Sequence, residues 1–470
     1  VVREASMKPT QIKDIVKAVE AIDFTSTARF TEIDSVEFDS RLISPGALFV
    51  PLKGATDGHS YIDKAIENGA VAALWSNDPN EAPVGFPIIQ VEDTLVAMQA
   101  LAKAYLGWIK PKVVGITGSS GKTTTKDMTA AALSTALKVH KTNGNYNNDI
   151  GLPKTILDMP EDTDVIVLEM GMSGAGEISF LSKLAEPDVV VITMIGENHI
   201  EFLGSRENIA KAKLEILDGL KEEGTFIYPG DEPLIVDQMP TDLPQSTLTI
   251  GLNDDQDIFA FEVMMDQFQS TFYTNLSPEL KMEIPLSGGY NVQNALYALG
   301  VAYSFGLSME QVRPNLAEFS ITADRGSWER GILDTQILND TYNASPSAMK
   351  AVIRNFSAIA SKGMSQKILV LGDMLELGAF SDELHREIAT VIGLNTFKHV
   401  FLYGPRIQPL EDALVEKGMH PDLITYIESD KEALIEEVKA ILQPEDKVLV
   451  KASNGMGLIE LVEALRVSAS

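Results

Sequence analysis

The sequence predicts an α/β protein of three domains, with a parallel sheet in the middle one and a smaller doubly wound unit at the end. Three observations carry that reading. The chain has 470 residues, and at about 100–200 residues per domain three is the middle of the expected range. Short apolar runs alternate with helical patterns, as parallel strands joined by crossover helices do. The pattern changes near residue 108 and again near 318–322, which places domains at 7–108, 109–320 and 321–470.

In the first domain, Ala47–Leu52 reads as a buried strand and Ser60–Gly69 as a helix closed by its glycine. Ala70–Trp75 and Pro87–Val91 read as further strands. In the second, the apolar run Val113–Thr117 leads through a Gly/Ser loop into a helix over Thr123–Leu137. Further strands end at Glu169 and near Ile195. A polar β-rich stretch then stops at Gly288-Gly289, before a helix over Asn291–Phe305. The last domain has strand-like runs at Lys367–Leu371, His399–Tyr403 and Lys447–Lys451, with helices between them.

Composition narrows the class. Hydrophobic residues make up 45% of the chain, enough for large cores. The net charge of −29 repels polyanions, so no nucleic-acid partner is expected. A phosphate ligand would need local cations or helix N-termini. The absence of cysteine excludes disulfides and thiolate chemistry. No apolar run approaches the roughly 18 residues of a bilayer span, so no membrane insertion is expected. Val1–Ser6 lacks the segments of a signal peptide, and Met7 reads as a natural start. A monomeric enzyme of the cytoplasm is the expectation.

The strongest motif runs from Val113 to Thr125, Val-Val-Gly-Ile-Thr-Gly-Ser-Ser-Gly-Lys-Thr-Thr-Thr. A strand ends, Gly118, Ser119, Ser120 and Gly121 turn the chain, and Lys122-Thr123-Thr124 open a helix. Small residues let backbone N–H groups close on phosphate oxygens, and the helix N-terminus adds partial positive charge. Lys122 can reach the outer phosphates of a nucleotide, and the Thr123 hydroxyl can ligate Mg²⁺. The strict motif has glycine where Ile116 stands, so this loop is a variant.

Glu169 ends the strand Asp-Val-Ile-Val-Leu-Glu, where open α/β sheets bind ligands, and a carboxylate there can hold a phosphate-bridging Mg²⁺. His199 follows the next strand and reads as a metal ligand, a phosphate-orienting group or a structural histidine. Lys213 falls on the apolar stripe of a helix over Ser205–Leu220, beside Ile209 and Ile216. Such a lysine snorkels, pairs with an acid or is chemically changed. Asn147-Asn148 precede a helix start, and their amides suit a sugar or nucleotide. Asn291 and Asn294 share one helix face.

Together these residues resemble the Mur ligase family, and within it the MurF type, from Met7 to the end. The motifs are Gly115–Lys126, Gly144-Asn-Tyr-Asn-Asn-Asp-Ile-Gly-Leu-Pro153, Leu168-Glu-Met-Gly171 with Gly176-Glu-Ile178, Asn198-His199 and Ala212-Lys213. The family's loop also lacks the strict glycine. Asp340-Thr-Tyr-Asn-Ala-Ser-Pro346 and Leu371-Gly-Asp-Met-Leu-Glu-Leu-Gly378 with His385 point to the MurF branch. Ser345 stands where that branch usually has Asn, and Lys451-Ala-Ser replaces Lys-Gly-Ser.

The resemblance implies a central ATP-binding domain flanked by a UDP-binding α/β domain and a C-terminal Rossmann-like domain. It implies that Lys122 and Thr123, with the rest of Gly118–Thr124, hold ATP and a first Mg²⁺. Glu169 and His199 would hold a second Mg²⁺, and Lys213 would be carbamylated. Asn291 and Asn294 would contact adenine, beside Tyr290 where the family often has His. Arg325 would reach phosphate and Asp340 the ribose. Ser40 and Arg41 in Asp39-Ser40-Arg41, Lys53, Asn147 and Asn148 would bind the UDP-linked substrate, near Asp57-Gly58-His59. The implied reaction activates a UDP-N-acetylmuramoyl-tripeptide as its acyl phosphate and transfers it to D-alanyl-D-alanine, in peptidoglycan precursor synthesis. Competing readings are a MurE-type ligase that adds a diamino acid to a dipeptide substrate, a folylpolyglutamate-type ligase without a UDP domain, and a nucleotide-dependent regulatory module.

Overall fold

The computed structural model describes residues 6–361 and 366–467. Of the leading segment Val1–Ser6, all but Ser6 lies outside the described residues. Three large sheets follow one another along the chain. The first has five strands in the order Asp23–Phe24, Ile88–Gln90, Ala72–Trp75, Ala47–Phe49 and Ser35–Glu37, parallel except for its first edge. Leu48, Val50, Ala72 and Leu74 pack on one face, and Ala47, Phe49, Ala73 and Trp75 on the other. Burial of both faces explains why these strands read as unbroken apolar runs.

The second sheet has nine strands. Seven run parallel, in the order Val139–Lys141, Val165–Glu169, Lys112–Thr117, Val189–Ile192, Thr225–Pro229, Ser246–Gly251 and Ile258–Met265. Ser270–Thr274 and Ser277–Ile284 extend it antiparallel. Chain order departs to both sides of Lys112–Thr117, so the carboxyl end of that strand faces a topological switch point. The third sheet has six strands, of which Gln336–Asp340, Lys447–Lys451, Lys367–Gly372, His399–Tyr403 and Ile424–Ile427 are parallel and Ser327–Arg330 is an antiparallel edge.

Three helices differ from expectation: the one expected over Thr123–Leu137 ends at Leu133, where residues 134–136 turn the chain. The segment expected as a helix over Ser60–Gly69 starts as a 3₁₀ turn, Gly58–Tyr61, because Asp57 caps the His59 N–H; the α-helix is Ile62–Glu67. The segment Ser205–Leu220 is α-helical only over Arg206–Leu214 and tightens into a 3₁₀ turn over Glu215–Gly219. There the Ser182 hydroxyl takes the Ile216 carbonyl at 2.6 Å, and its oxygen accepts from the Gly219 N–H at 2.9 Å. Ser182 thus supplies bonds that another helical turn would have made. Among the described residues, no helix is long and apolar enough to cross a membrane.

Candidate active site

The carboxyl ends of the central strands lie side by side, with Glu169 opposite Ile116 and Ile192 opposite Thr117. The turn leaves the middle strand through Gly118 at φ 151° and Gly121 at φ 84°. A Cβ on Gly118 would stand 1.8 Å from Thr193 Oγ1, and one on Gly121 2.7 Å from Asn294 Oδ1. Both glycines are therefore required by close approach as well as by backbone angle. Thr193 donates its hydroxyl to the Ser120 carbonyl at 2.5 Å, and Lys122 Nζ donates to the Gly118 carbonyl at 2.8 Å. The helix Lys122–Leu133 starts at this turn and aims its N-terminus at the space in front of it.

Glu169 is buried, and each of its carboxylate oxygens has a donor. The Thr123 hydroxyl reaches Oε2 at 3.0 Å and the Asn147 amide reaches Oε1 at 3.1 Å. Hydroxyl and carboxylate oxygens are what Mg²⁺ accepts, and Mg²⁺ sites usually use one or two carboxylates with phosphates and water completing the shell. Among the described residues no cluster of three or more His, Asp or Glu forms a ready-made metal centre. The residues present fit a Mg²⁺ bound together with a phosphate, not a metal held by protein alone.

Lys213 is buried on the apolar stripe, with no hydrogen bond or ion pair among the described residues. Burial drives its ammonium well below the ordinary lysine value and Lys122 adds to this; Glu177 and Glu169 pull the other way. Burial also lowers Lys122, opposed by Glu169 and reinforced by Arg325. His199 is lowered by burial and by the two lysines, against an ion pair from its Nδ1 to Glu376. An incoming polyanion would reverse this balance at Lys122.

Lys122, Glu169 and His199 open on a cavity of about 770 Å³ between the second and third sheets. Ser119, Ser120, Gly121, Lys122, Thr124, Asn147, Asn148, Glu169, His199, Asn291 and Asn294 line it, and Arg325 and Asp340 enter from the third domain's side. Gly118, Thr123 and Lys213 are not in the lining; Thr123 meets it through Glu169. Asn291 donates to the Ser287 carbonyl at 3.0 Å, and Asn294 donates to Asn291 Oδ1 at 3.4 Å. Asp340 pairs with Lys451 at 2.7 Å. Arg325 lies over the Tyr342 ring, 3.9 Å from its centroid, and its Nε is buried without a hydrogen-bond partner among the described residues. A buried guanidinium N–H without an acceptor fits a site that receives an anion. A second cavity of about 220 Å³ shares Asn198 and His199 and is lined by Ser345, Glu376 and Ser453.

Ser40 and Arg41 lie in the 3₁₀ turn Ser40–Leu42 and Lys53 on a loop of the first domain, away from the lining of either cavity. Arg41 is exposed and pairs with Asp39 at 2.7 Å, while the buried Ser40 accepts from Asn68 at its carbonyl. Sequence reasoning missed several groups. Glu197 accepts from the Ser347 hydroxyl at 2.8 Å and from its backbone N–H at 3.2 Å, tying the central domain to the helix Pro346–Ala358. The hairpin tip Gln267-Phe268 reaches the third sheet, where Trp328 Nε1 donates to the Gln267 carbonyl at 3.1 Å. Glu197, two residues before His199, and Glu376, inside the motif Leu371–Gly378, lay within segments the sequence singled out.

Three family models match the chain: the Mur ligase family catalytic domain over residues 32–106, the Mur ligase middle domain over 116–302 and the Mur ligase glutamate ligase domain over 325–454. The UDP-N-acetylmuramoyl-tripeptide–D-alanyl-D-alanine ligase of Bacillus subtilis is 42% identical, covering 97% of this chain and 98% of that one. Its Escherichia coli counterpart is 30% identical, covering 98% of each. Among solved structures, MurF from Acinetobacter baumannii superposes with a TM-score of 0.85 at 26% identity, covering 97% of this chain and 99% of that one. MurF ligase from Thermotoga maritima in complex with ADP gives 0.78 at 29%, covering 92% and 96%.

Proposed function

The chain belongs to the Mur ligase family, and on that footing we propose that it is an ATP-dependent ligase adding D-alanyl-D-alanine to UDP-N-acetylmuramoyl-tripeptide. The observation that carries the reading is the single cavity joining Lys122, Glu169, Asn291, Arg325 and Asp340. Full-length relatives named for the dipeptide-adding reaction favour it over the diamino-acid and regulatory alternatives.

In this proposal the turn 118–121 and the N-terminus of Lys122–Leu133 cradle the ATP phosphates, with Lys122 and Arg325 balancing charge as the terminal phosphoryl group leaves. Asn291 and Asn294 face the base, and Asp340 faces the ribose. Thr123, Glu169 and His199 would hold Mg²⁺, which supplies charge neutralisation across the phosphates. The tripeptide carboxylate takes the terminal phosphoryl group from ATP, and ADP leaves. The neutral amine of D-alanyl-D-alanine then adds to the acyl carbon and loses a proton. The C–O bond to phosphate breaks as the amide forms. The smaller cavity beside His199 gives that amine an approach from the third domain's side.

Burial favours the neutral amine of Lys213; that amine would add CO₂ with loss of a proton, and the resulting carboxylate would join the metal site. Isotope-labelled bicarbonate should give a carbamate signal in the parent and none in Lys213→Ala. The first domain, with Ser40, Arg41 and Lys53, would bind the UDP end, and Asn147 and Asn148 its glycopeptide part. We place the domains at 7–108, 109–320 and 321–470, in a monomeric enzyme of the cytoplasm. The test is a co-substrate screen with ATP and Mg²⁺. Phosphate release should need both the UDP-tripeptide and D-alanyl-D-alanine, and release that ignores either would refute the reading.

A further inference from the structure

The first domain and the loop beside Glu169 are joined by a buried contact that the reaction scheme above leaves without a role. Glu37 and Lys154 are both buried, at 8% and 7% exposure, although charged side chains are seldom so unless paired. Glu37 ends the edge strand of the first sheet and immediately precedes the loop Phe38-Asp39, which leads into the 3₁₀ turn Ser40–Leu42. Its Oε1 accepts from the backbone N–H groups of Phe38 and Asp39, each at 3.0 Å, which fixes the start of that loop. Its Oε2 faces Lys154 Nζ at 3.3 Å, across the junction between the first and central domains. Lys154 sits on the helix Gly151–Leu157, and Asp158 at 2.5 Å holds its ammonium from the other side.

A second contact runs parallel to the first. The Phe38 ring meets the Tyr146 ring edge-on, with centroids 6.3 Å apart. Tyr146 precedes Asn147, whose amide donates to Glu169 and whose carbonyl accepts from the Gly171 N–H at 2.8 Å. The segment leading into Asp39-Ser40-Arg41 thus meets the loop carrying Asn147 through Phe38 and Tyr146, and that loop is bonded to Glu169 at the phosphate site. We propose that Glu37 and Lys154 are positioning residues, setting the distance between the anchored UDP end of the substrate and the carboxylate to be phosphorylated. This rests on the ligase reading above. Neither residue touches ATP in that reading, so their effect should fall on the UDP-linked substrate.

The test uses the full chain, with kinetics for each co-substrate and ADP binding by calorimetry. Glu37→Gln and Lys154→Met should each raise KM for the UDP-muramoyl-tripeptide by about tenfold or more, with KM for ATP and the ADP affinity unchanged. Lys154→Arg should restore most of the loss. The double variant should be less impaired than the two single effects multiplied, because the pair acts as one unit. Unchanged KM for the UDP substrate in folded variants would overturn the proposal. So would equal loss of ADP binding, which marks a merely structural pair. A parent that fails to ligate would instead sink the ligase reading.

Discussion

In the proposed reaction Lys122 is the side chain on which the chemistry depends most, because its ammonium lies over the turn 118–121 and its helix starts there. Lys122→Ala should lower turnover by about a hundredfold or more, since it removes charge stabilisation aimed at the leaving phosphoryl group. Phosphate release with both co-substrates measures this, and near-parental turnover would contradict the role. Gly118 is constrained by space. Gly118→Ala drives a methyl into Thr193 and should cost about 1–3 kcal/mol of stability, with weaker ADP binding; thermal melts and calorimetry read both. Asp57 gives a pH signature. Burial raises its carboxyl, but hydrogen bonds from Asn77 and from the backbone and ring of His59 outweigh this and hold it at about 2, below the ordinary 3.8. A folded-state value below the unfolded one gives stability that is present above pH 3.8 and fades as pH falls towards 2. The stability gap between the parent and Asp57→Asn should therefore narrow over that window, in urea midpoints taken at each pH.

Elements were legible where their signal is local. Strand, turn and helix at the phosphate loop follow from apolar runs, glycines and Lys-Thr, and the structure has them at Lys112–Thr117 and Lys122–Leu133. Lys213 on an apolar stripe was visible from spacing, and it is buried. Its helix was read too long, because the contact that ends it comes from Ser182 on a different element. The clasp between Glu197 and the helix Pro346–Ala358 was invisible for the same reason: its partners are 150 residues apart. That clasp gives the helix N-terminus a carboxylate, which suits its dipole. Glu197→Gln should loosen the third domain, lowering kcat several-fold and enlarging the ligand-free scattering radius. An unchanged radius and unchanged kcat would mean the clasp is idle.

At the scale of the whole molecule, the proposed reaction draws on all three sheets. The central strands bring Glu169 and the turn together, the third sheet adds Arg325 and Asp340, and the first domain meets the central one beside the Asn147 loop. Domain order was legible because each domain keeps its own alternation of strands and helices; how the domains face one another was not, because those contacts join residues far apart in sequence. The central claim is that this arrangement holds a carboxylate against the terminal phosphoryl group of ATP. It is tested most directly by labelling both oxygens of the tripeptide's terminal carboxylate with heavy oxygen and following them through one turnover. The account predicts one label in the released phosphate and the other in the new amide. Phosphate free of label, with its new oxygen drawn from water, would contradict it.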